Sequence, residues 1–398
     1  MGLNTLKSWG DRVRRRWRRA LNRGRRDSEG TLNSERNLEG RFCRNPFVQL
    51  DIHEDGRAYS CCSSWLPTPL GNLKTLTVGE AWNSQASQTI RESIFDGSFR
   101  YCYKKVCPAI QGGTLPTMEE ARRDPLLRDI IDRRQTRLGE LPSFINLCND
   151  ASCNLYCPSC RVERINYPHG KQFEKRKHLQ DKVTQSLFSE PSDRHFTVNV
   201  TGSGDPFASR VFREFLYNLN GEDFPNLRIN LQTNGVLLTP RNWQRMKKIH
   251  RNIAAILVSF DAGTEETYAL TRRGGNWPLL LDNTARLGEL RKSGKLNMLR
   301  LDFVVQRANY SEMPAFVALA RSLGADQVAF SMVLDWGTWP IAEYEKHCIW
   351  KQDHPEFDDF ITVLEDPMFD DPFVALGNLT EYRKLAKDRS LAGQRMVS

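Results

Sequence analysis

Three cysteines stand close together in Cys153-Asn-Leu-Tyr-Cys157-Pro-Ser-Cys160. Thiolates at this spacing can converge on one iron–sulfur cube and leave its fourth iron without a protein ligand. An open iron is what a reactive cluster needs, because a fully ligated one only passes electrons. Zinc competes for the same sulfurs, although a structural zinc site normally takes a fourth protein ligand. A second set lies earlier in the chain: Cys43, the pair Cys61-Cys62, Cys102 and Cys107. Cys148 and Cys348 complete the ten.

The elements that carry these thiols can be read from the hydrophobic pattern. From Pro142 onward, strand-like and helix-like segments alternate. Candidate strands are 143–148, 196–201, 228–232, 253–260, 299–305 and 327–332, and helical patterns lie at 208–218, 240–249, 277–291 and 311–323. Strands separated by helices make a parallel sheet, and six such units predict an α/β fold with a partial (β/α)6 TIM-like barrel. The cysteine triplet directly follows the first barrel strand. Ahead of the barrel, residues 48–52 and 58–61 flank Glu54-Asp55-Gly56-Arg57 and read as a hairpin. Short helices follow from about Val78 and from Gln85 to Phe95, and 118–138 reads as one charged connector helix. After Trp339 the chain turns acidic and aromatic, with no clear sheet pattern. The expected organisation is a basic arm over 1–40, a small N-terminal cysteine-rich domain over 41–112, a connector over 113–140, the barrel over 141–340 and an extension over 341–398.

On these residues the chain resembles the radical S-adenosylmethionine (SAM) enzymes, whose signature is CxxxCxxC in the loop after the first barrel strand. The resemblance covers about residues 141–335. It implies that Cys153, Cys157 and Cys160 hold a catalytic [4Fe–4S] cluster. The family's GGEP motif is matched by Ser203-Gly204-Asp205-Pro206, and glycines there let backbone groups approach a ligand closely. The third strand ends Gln232-Thr233-Asn234-Gly235 and the fourth ends Ser259-Phe260-Asp261, with Arg272 following. The resemblance therefore implies SAM contacts at Ser203, Gly204, Asp205, Pro206, Asn234, Ser259, Asp261 and Arg272. Asn234 and Gly235 also suit a plain turn, and Arg272 a surface helix. Ser203 replaces a glycine of the motif, Asp205 its glutamate, and Ser159 the usual aromatic before the third cysteine.

The earlier set is similar to the SPASM type of auxiliary iron–sulfur domain. Leu70-Gly71-Asn72-Leu73, Glu80-Ala81-Trp82-Asn83, Arg91 and Gly97 run between its cysteines. Members usually carry this domain after the barrel, whereas here it precedes it. The resemblance implies an auxiliary [4Fe–4S] cluster closed by Cys43, Cys61, Cys102 and Cys107, with Cys61 favoured over Cys62 because it directly follows the strand. Zinc on the same four sulfurs is the competing occupant.

Together these features imply an enzyme in which the reduced cluster cleaves SAM to methionine and a 5′-deoxyadenosyl radical, which takes a hydrogen atom from a substrate C–H bond. An electron donor such as flavodoxin or ferredoxin is expected. Oxidation or bond formation on a sugar, another small molecule or a peptide is the expected outcome. Epimerisation, with Cys148 or Cys348 returning a hydrogen atom, is the alternative. A non-catalytic zinc scaffold is the rival from another class.

Composition supports a folded enzyme. The 398 residues are 39% hydrophobic and 26% charged, with nine tryptophans and twenty phenylalanines. The net charge of +9 is concentrated in residues 1–40, which hold eleven Lys/Arg against five Asp/Glu; the other 358 hold 46 against 43. A nearly neutral body gives no reason to expect nucleic acid. The arm gathers Leu6, Trp9, Val13, Trp17 and Leu21 at three- and four-residue steps among nine arginines. Such a pattern suits a solvated tail, a helix on an anionic membrane surface, or contact with RNA or an acidic partner. No apolar run approaches a membrane span, and the basic start lacks the apolar stretch of a secretory signal. A cytoplasmic chain is expected, possessing thiols for metal in place of disulfides.

Overall fold

The computed structural model describes residues 38–105 and 107–397. The basic arm expected over 1–40 falls almost wholly outside the described residues. Ten strands form one sheet: β1 (Gln49–His53), β2 (Arg57–Tyr59), β3 (Gly71–Asn72), β4 (Phe144–Cys148), β5 (Phe196–Val200), β6 (Leu227–Thr233), β7 (Ile253–Ser259), β8 (Leu299–Val305), β9 (Gln327–Met332) and β10 (Val374–Ala375). Their order is β10-β9-β8-β7-β6-β5-β4-β1-β2-β3. Strands β4 to β9 pair in parallel, each with its sequence neighbour, and helices connect them. This is the partial barrel expected from the sequence.

The barrel strands alternate in burial with a two-residue period, broken in β7 by the adjacent buried Ala255 and Ile256 and at the end of β9 by Ser331 and Met332. Ile145, Val198, Leu231, Val258, Phe303 and Val328 point outward to the helices and are completely buried. Burying a side chain of this size contributes roughly 1.5–3 kcal/mol. The alternate positions point inward and are half-buried; many are polar, among them Asn146, Asn199, Asn230, Gln232, Ser259 and Asp302, with Phe144, Leu257, Val304 and Ala329 apolar. A closed barrel fills its interior with branched apolar side chains. Here the inner face is wet.

The expected N-terminal hairpin is present, β1 against β2, and β1 also pairs in parallel with β4 along its whole length, from Gln49 opposite Phe144 to His53 opposite Cys148. The cysteine-rich region thus extends the barrel sheet. The segment 118–138 is not one helix but two, Met118–Ala121 and Pro125–Asp132. Asp124 accepts from the Leu126 N–H at 3.0 Å and Pro125 takes the first helical position, so a new helix must start there. The tail adds β10 to the far edge of the sheet and the helices Phe357–Val363 and Thr380–Val397. No helix among the described residues is long and apolar enough to cross a membrane.

Candidate functional site

The cysteine triplet lies on a loop at the carboxyl end of β4, and its backbone is anchored at several points. Cys153 N–H donates to Ile165 O at 2.8 Å, Tyr156 N–H to Arg273 O at 3.0 Å, and Cys160 N–H to Cys157 O at 3.0 Å. Beneath the loop, the buried Asp150 accepts from Ser152 Oγ at 2.8 Å and Ser209 Oγ at 2.7 Å. Cys153 and Cys157 are buried and Cys160 is exposed.

Each sulfur faces an N–H donor. Leu155 N–H and Asn234 Nδ2 approach Cys153 Sγ at 3.4 and 3.7 Å, Arg272 Nη1 approaches Cys157 Sγ at 3.9 Å, and Arg161 Nη2 approaches Cys160 Sγ at 3.3 Å. Burial pushes the Cys153 thiol up to about 12, with Asp205 adding to the effect and Arg161 opposing it. Two guanidiniums and several amides around three thiols form a donor set suited to sulfur that carries charge, as in an iron–sulfur site. Arg161 escaped the sequence reading. It also ties Ala151 O (2.7 Å) to Ser203 O (2.8 Å), joining the cysteine loop to the turn after β5. Its position directly after Cys160 was the available signal.

The residues expected around SAM divide into two groups. Ser203, Gly204, Asn234 and Ser259 surround the loop at the carboxyl ends of β5, β6 and β7. A Cβ on Gly204 would stand 2.5 Å from Ser152 O and 2.7 Å from Asp150 O, so only glycine lets this turn close on the cysteine loop. Ser203 Oγ donates to Cys148 O at 3.0 Å. Ser259, at the end of β7, is half-buried.

Asp205, Asp261 and Pro206 are placed differently. Asp205 has no exposed surface, and its oxygens accept from Phe207 N–H, Ala208 N–H, Thr233 Oγ1 and Asn234 N–H at 2.7 to 3.1 Å. It braces the ends of β5 and β6 against each other and leaves no oxygen for a cofactor. Asp261 has φ of +57°, accepts from Val304 N–H at 2.7 Å, and pairs with Arg272 Nη2 at 2.8 Å. It therefore acts on the site through Arg272. Pro206 is buried beside Asp205. Arg272 is no surface residue; its side chain is only 14% exposed. Burial opposes its charge, but the Asp261 carboxylate and the Cys157 sulfur more than offset this. Arg272 Nε and the Tyr268 hydroxyl are buried without a hydrogen-bond partner. Both stand beside Cys157 and Asp261, so the site retains unspent polar groups where a polar cofactor would lie.

The auxiliary set is gathered from a longer stretch. Cys61 Sγ accepts from Trp65 Nε1 at 3.1 Å and Asn45 Nδ2 at 3.4 Å. Burial pushes the Cys43 thiol up to about 12, and Cys61 and Cys107 add to it. Cys102 is raised by burial and then by Cys43, Cys107 and Cys61, which places these four together. Cys62 neighbours Asp51 and Cys107, and Asp51 and Cys62 both bear on Cys148. Among the described residues, no group of three or more His, Cys, Asp or Glu closes tightly enough for a single metal ion. A four-iron cube holds its sulfurs further apart than one ion does. Nearby, the fully buried Arg91 donates to Pro46 O, Trp82 O, Thr136 O and Asn83 Oδ1 at 2.7 to 3.3 Å, with its guanidinium 4.3 Å from the centre of the Trp82 ring. No carboxylate pairs with it, and burial draws its pKa down to about 9.

Comparison with known families agrees with this geometry. Residues 151–302 match the radical SAM superfamily, and residues 43–108 match SPASM, an iron–sulfur cluster-binding domain. The chain carries a radical SAM domain. Its cofactors are SAM and iron–sulfur clusters, and its SPASM domain precedes the barrel. Among solved structures, it is similar to anSMEcpe with bound AdoMet (19% identity, 56% of this chain and 57% of that one, TM-score 0.39). It is also similar to Streptococcus suis SuiB bound to the precursor peptide SuiA (13% identity, 75% and 64%, TM-score 0.41). A third is TYW1 with a lysine–pyruvate adduct (18% identity, 47% and 63%, TM-score 0.33). The chain spans less than two thirds of each of these proteins. No curated protein matches it in sequence.

Proposed function

We propose that this radical SAM protein is an enzyme that cleaves SAM reductively at Cys153, Cys157 and Cys160 and removes a hydrogen atom from a substrate held against the inner face of the barrel. The observation that carries the reading is the cysteine loop itself, in which three sulfurs on one anchored loop each face an N–H donor. When bound, the cluster and SAM together supply a one-electron cleavage that activates an otherwise inert C–H bond. The chain's own residues would do the positioning. Gly204 brings the turn after β5 onto the loop, Asn234 and Ser259 offer polar groups beside it, and Arg272 presents a guanidinium held by Asp261. Tyr268 walls the site with a ring that is 2% exposed.

Cys43, Cys61, Cys102 and Cys107 would hold the auxiliary cluster, which supports net oxidation of the substrate because an electron acceptor then sits on the same sheet. One observation favours epimerisation as a second reading. Cys148 lies half-buried on the inner face at the end of β4, whereas Cys348 is 1% exposed and its thiol already donates to Tyr344 O at 3.3 Å. If a thiol returns hydrogen, Cys148 is the one placed to do so. The test is anaerobic reconstitution with iron and sulfide, followed by SAM and dithionite. Formation of 5′-deoxyadenosine is expected, and a colourless zinc protein that leaves SAM intact would exclude the reading.

A further inference from the structure

The inner face of the sheet has a lower, closed region and an upper, open one. In the lower region the side chains satisfy one another across strands. Asn199 Nδ2 donates to Asn146 Oδ1 at 2.8 Å, Asn146 in turn contacts Asp51, and Gln49 Nε2 donates to Asp51 Oδ1 at 2.8 Å. The register makes this a ladder, since Tyr59, Asp51, Asn146, Asn199 and Asn230 lie opposite one another on five successive strands. The ladder's last member breaks the pattern. Among the described residues, Asn230 has no side-chain hydrogen-bond partner, and neither do Gln232 on the same strand, Ser259 on β7, or Gln327 and Ser331 on β9. All five are partly or fully exposed. Polar side chains that line a concavity and lack internal partners are available to a ligand.

The charges on this face cancel. Arg300 and Asp302 on β8 form a two-bonded pair at 2.6 and 3.1 Å, and Asp51 is enclosed by Gln49 and Asn146. Arg228 stands near the amino end of β6, away from the cysteine loop. Gln232 and Ser259 lie towards the carboxyl ends of their strands, one residue before the end of β6 and at the last position of β7. At the level of Gln232 and Ser259 the inner face also carries Leu257, Ala329 and the paired Arg300 and Asp302, so the polar groups left without partners there are carboxamides and hydroxyls, which donate and accept without charge.

Resting on the proposed radical chemistry, we infer that the inner face binds a neutral, hydroxyl-rich glycosyl group, with Asn230 and Gln232 on β6 as its principal specificity-determining residues. Carboxamides pair a donor with an acceptor, which matches adjacent hydroxyls that each do both. A peptide strand would need free main-chain groups at a sheet edge. The barrel strands spend theirs on one another, and the flanks of the barrel are paired by β1 along the whole of β4 and by β10 at Val328 and Ala329 of β9. The rim adds apolar surface: Trp336 is 57% exposed after the carboxyl end of β9, and Tyr156 is 39% exposed in the cysteine loop. A sugar ring presents apolar C–H faces between its hydroxyls, and exposed aromatic rings suit them.

The test uses the full chain with clusters and SAM bound, without reductant, so that nothing turns over. Saturation-transfer NMR would compare methyl glycosides of a hexose, a 6-deoxyhexose and an N-acetylhexosamine with glucuronic acid and a neutral serine-containing pentapeptide. At least one methyl glycoside is expected to bind about tenfold or more tightly than glucuronic acid or the peptide. Asn230→Leu with Gln232→Leu should weaken it about tenfold at unchanged iron content. If that pair does not fold, Asn230→Ala and Gln232→Ala singly should each weaken it several-fold. Preferred binding of the peptide or the acid, or glycoside binding indifferent to these changes, overturns the inference. SAM cleavage is measured separately on the same preparation. Cleavage without glycoside binding rejects only the substrate class, whereas no cleavage rejects the reading beneath it.

Discussion

The two thiol sites of this chain are built in opposite ways. The cysteine loop at 153–160 is local: three thiols from eight residues, with Cys160 exposed and charged or amide donors aimed at each sulfur. The SPASM set draws Cys43, Cys61, Cys102 and Cys107 together from separate segments, with Cys61 buried and the other three partly exposed. Three sulfurs on one loop leave room for a ligand on the fourth iron, whereas four from a folded shell leave none. The first arrangement suits chemistry and the second suits electron storage. The two are joined by the β1–β4 ladder, which makes the auxiliary region part of the barrel sheet and not an appended module.

The contrast can be broken most severely at the local site. Cys157→Ala should abolish 5′-deoxyadenosine formation while leaving about four irons per chain in the SPASM set. Retained cleavage would remove the loop from catalysis. Next in size is the pair behind that loop. Arg272→Leu leaves the buried Asp261 carboxylate unpaired, which should cost about 3–5 kcal/mol in denaturant unfolding and lose cleavage as well. Adding Asp261→Asn should recover much of the stability but not the cleavage. Recovery of both would make Arg272 a purely structural residue.

Two smaller effects sharpen the other half of the comparison. Cys61→Ala should lower iron from about eight to about four per chain, whereas Cys62→Ala should leave it near eight. The reverse result would move the ligand by one residue, towards the Asp51 side. Arg91→Ala should remove about 3 kcal/mol of stability, because four acceptors lose a buried donor. Cleavage of SAM by the surviving folded protein should persist. An unfolding midpoint matching that of the unsubstituted chain would show that these acceptors find other partners.

Much of this was legible in the residue order. The six barrel strands and both sets of cysteines appear where the pattern puts them, since two-residue alternation and cysteine spacing are local properties. The polar alternate positions were legible too, in Phe-Thr-Val-Asn-Val and Leu-Arg-Ile-Asn-Leu-Gln-Thr, and an alternating parallel strand signals one wet face. The break at Asp124-Pro125 was also written in the sequence as a helix start, but the charge pattern running through it suggested continuity.

What the sequence by itself determined is a cluster of metal-binding thiols, three on one loop, and a barrel whose strand ends must present them; the chemistry expected of them came from the family resemblance. The tertiary structure decided how the surrounding residues are used. Asp205 reads as a ligand contact from the family motif it matches and Asp261 from its strand end, yet their oxygens are taken by Thr233, Asn234, Val304 and Arg272, partners from other strands and loops. The pairing of β1 with β4 was likewise invisible, because residues 53 and 144 are separated by helices and loops, and nothing local records which edge a short strand will choose. Burial and hydrogen-bond satisfaction are properties of neighbours in space, so a sequence names the groups and only the fold shows which of them are still free to bind.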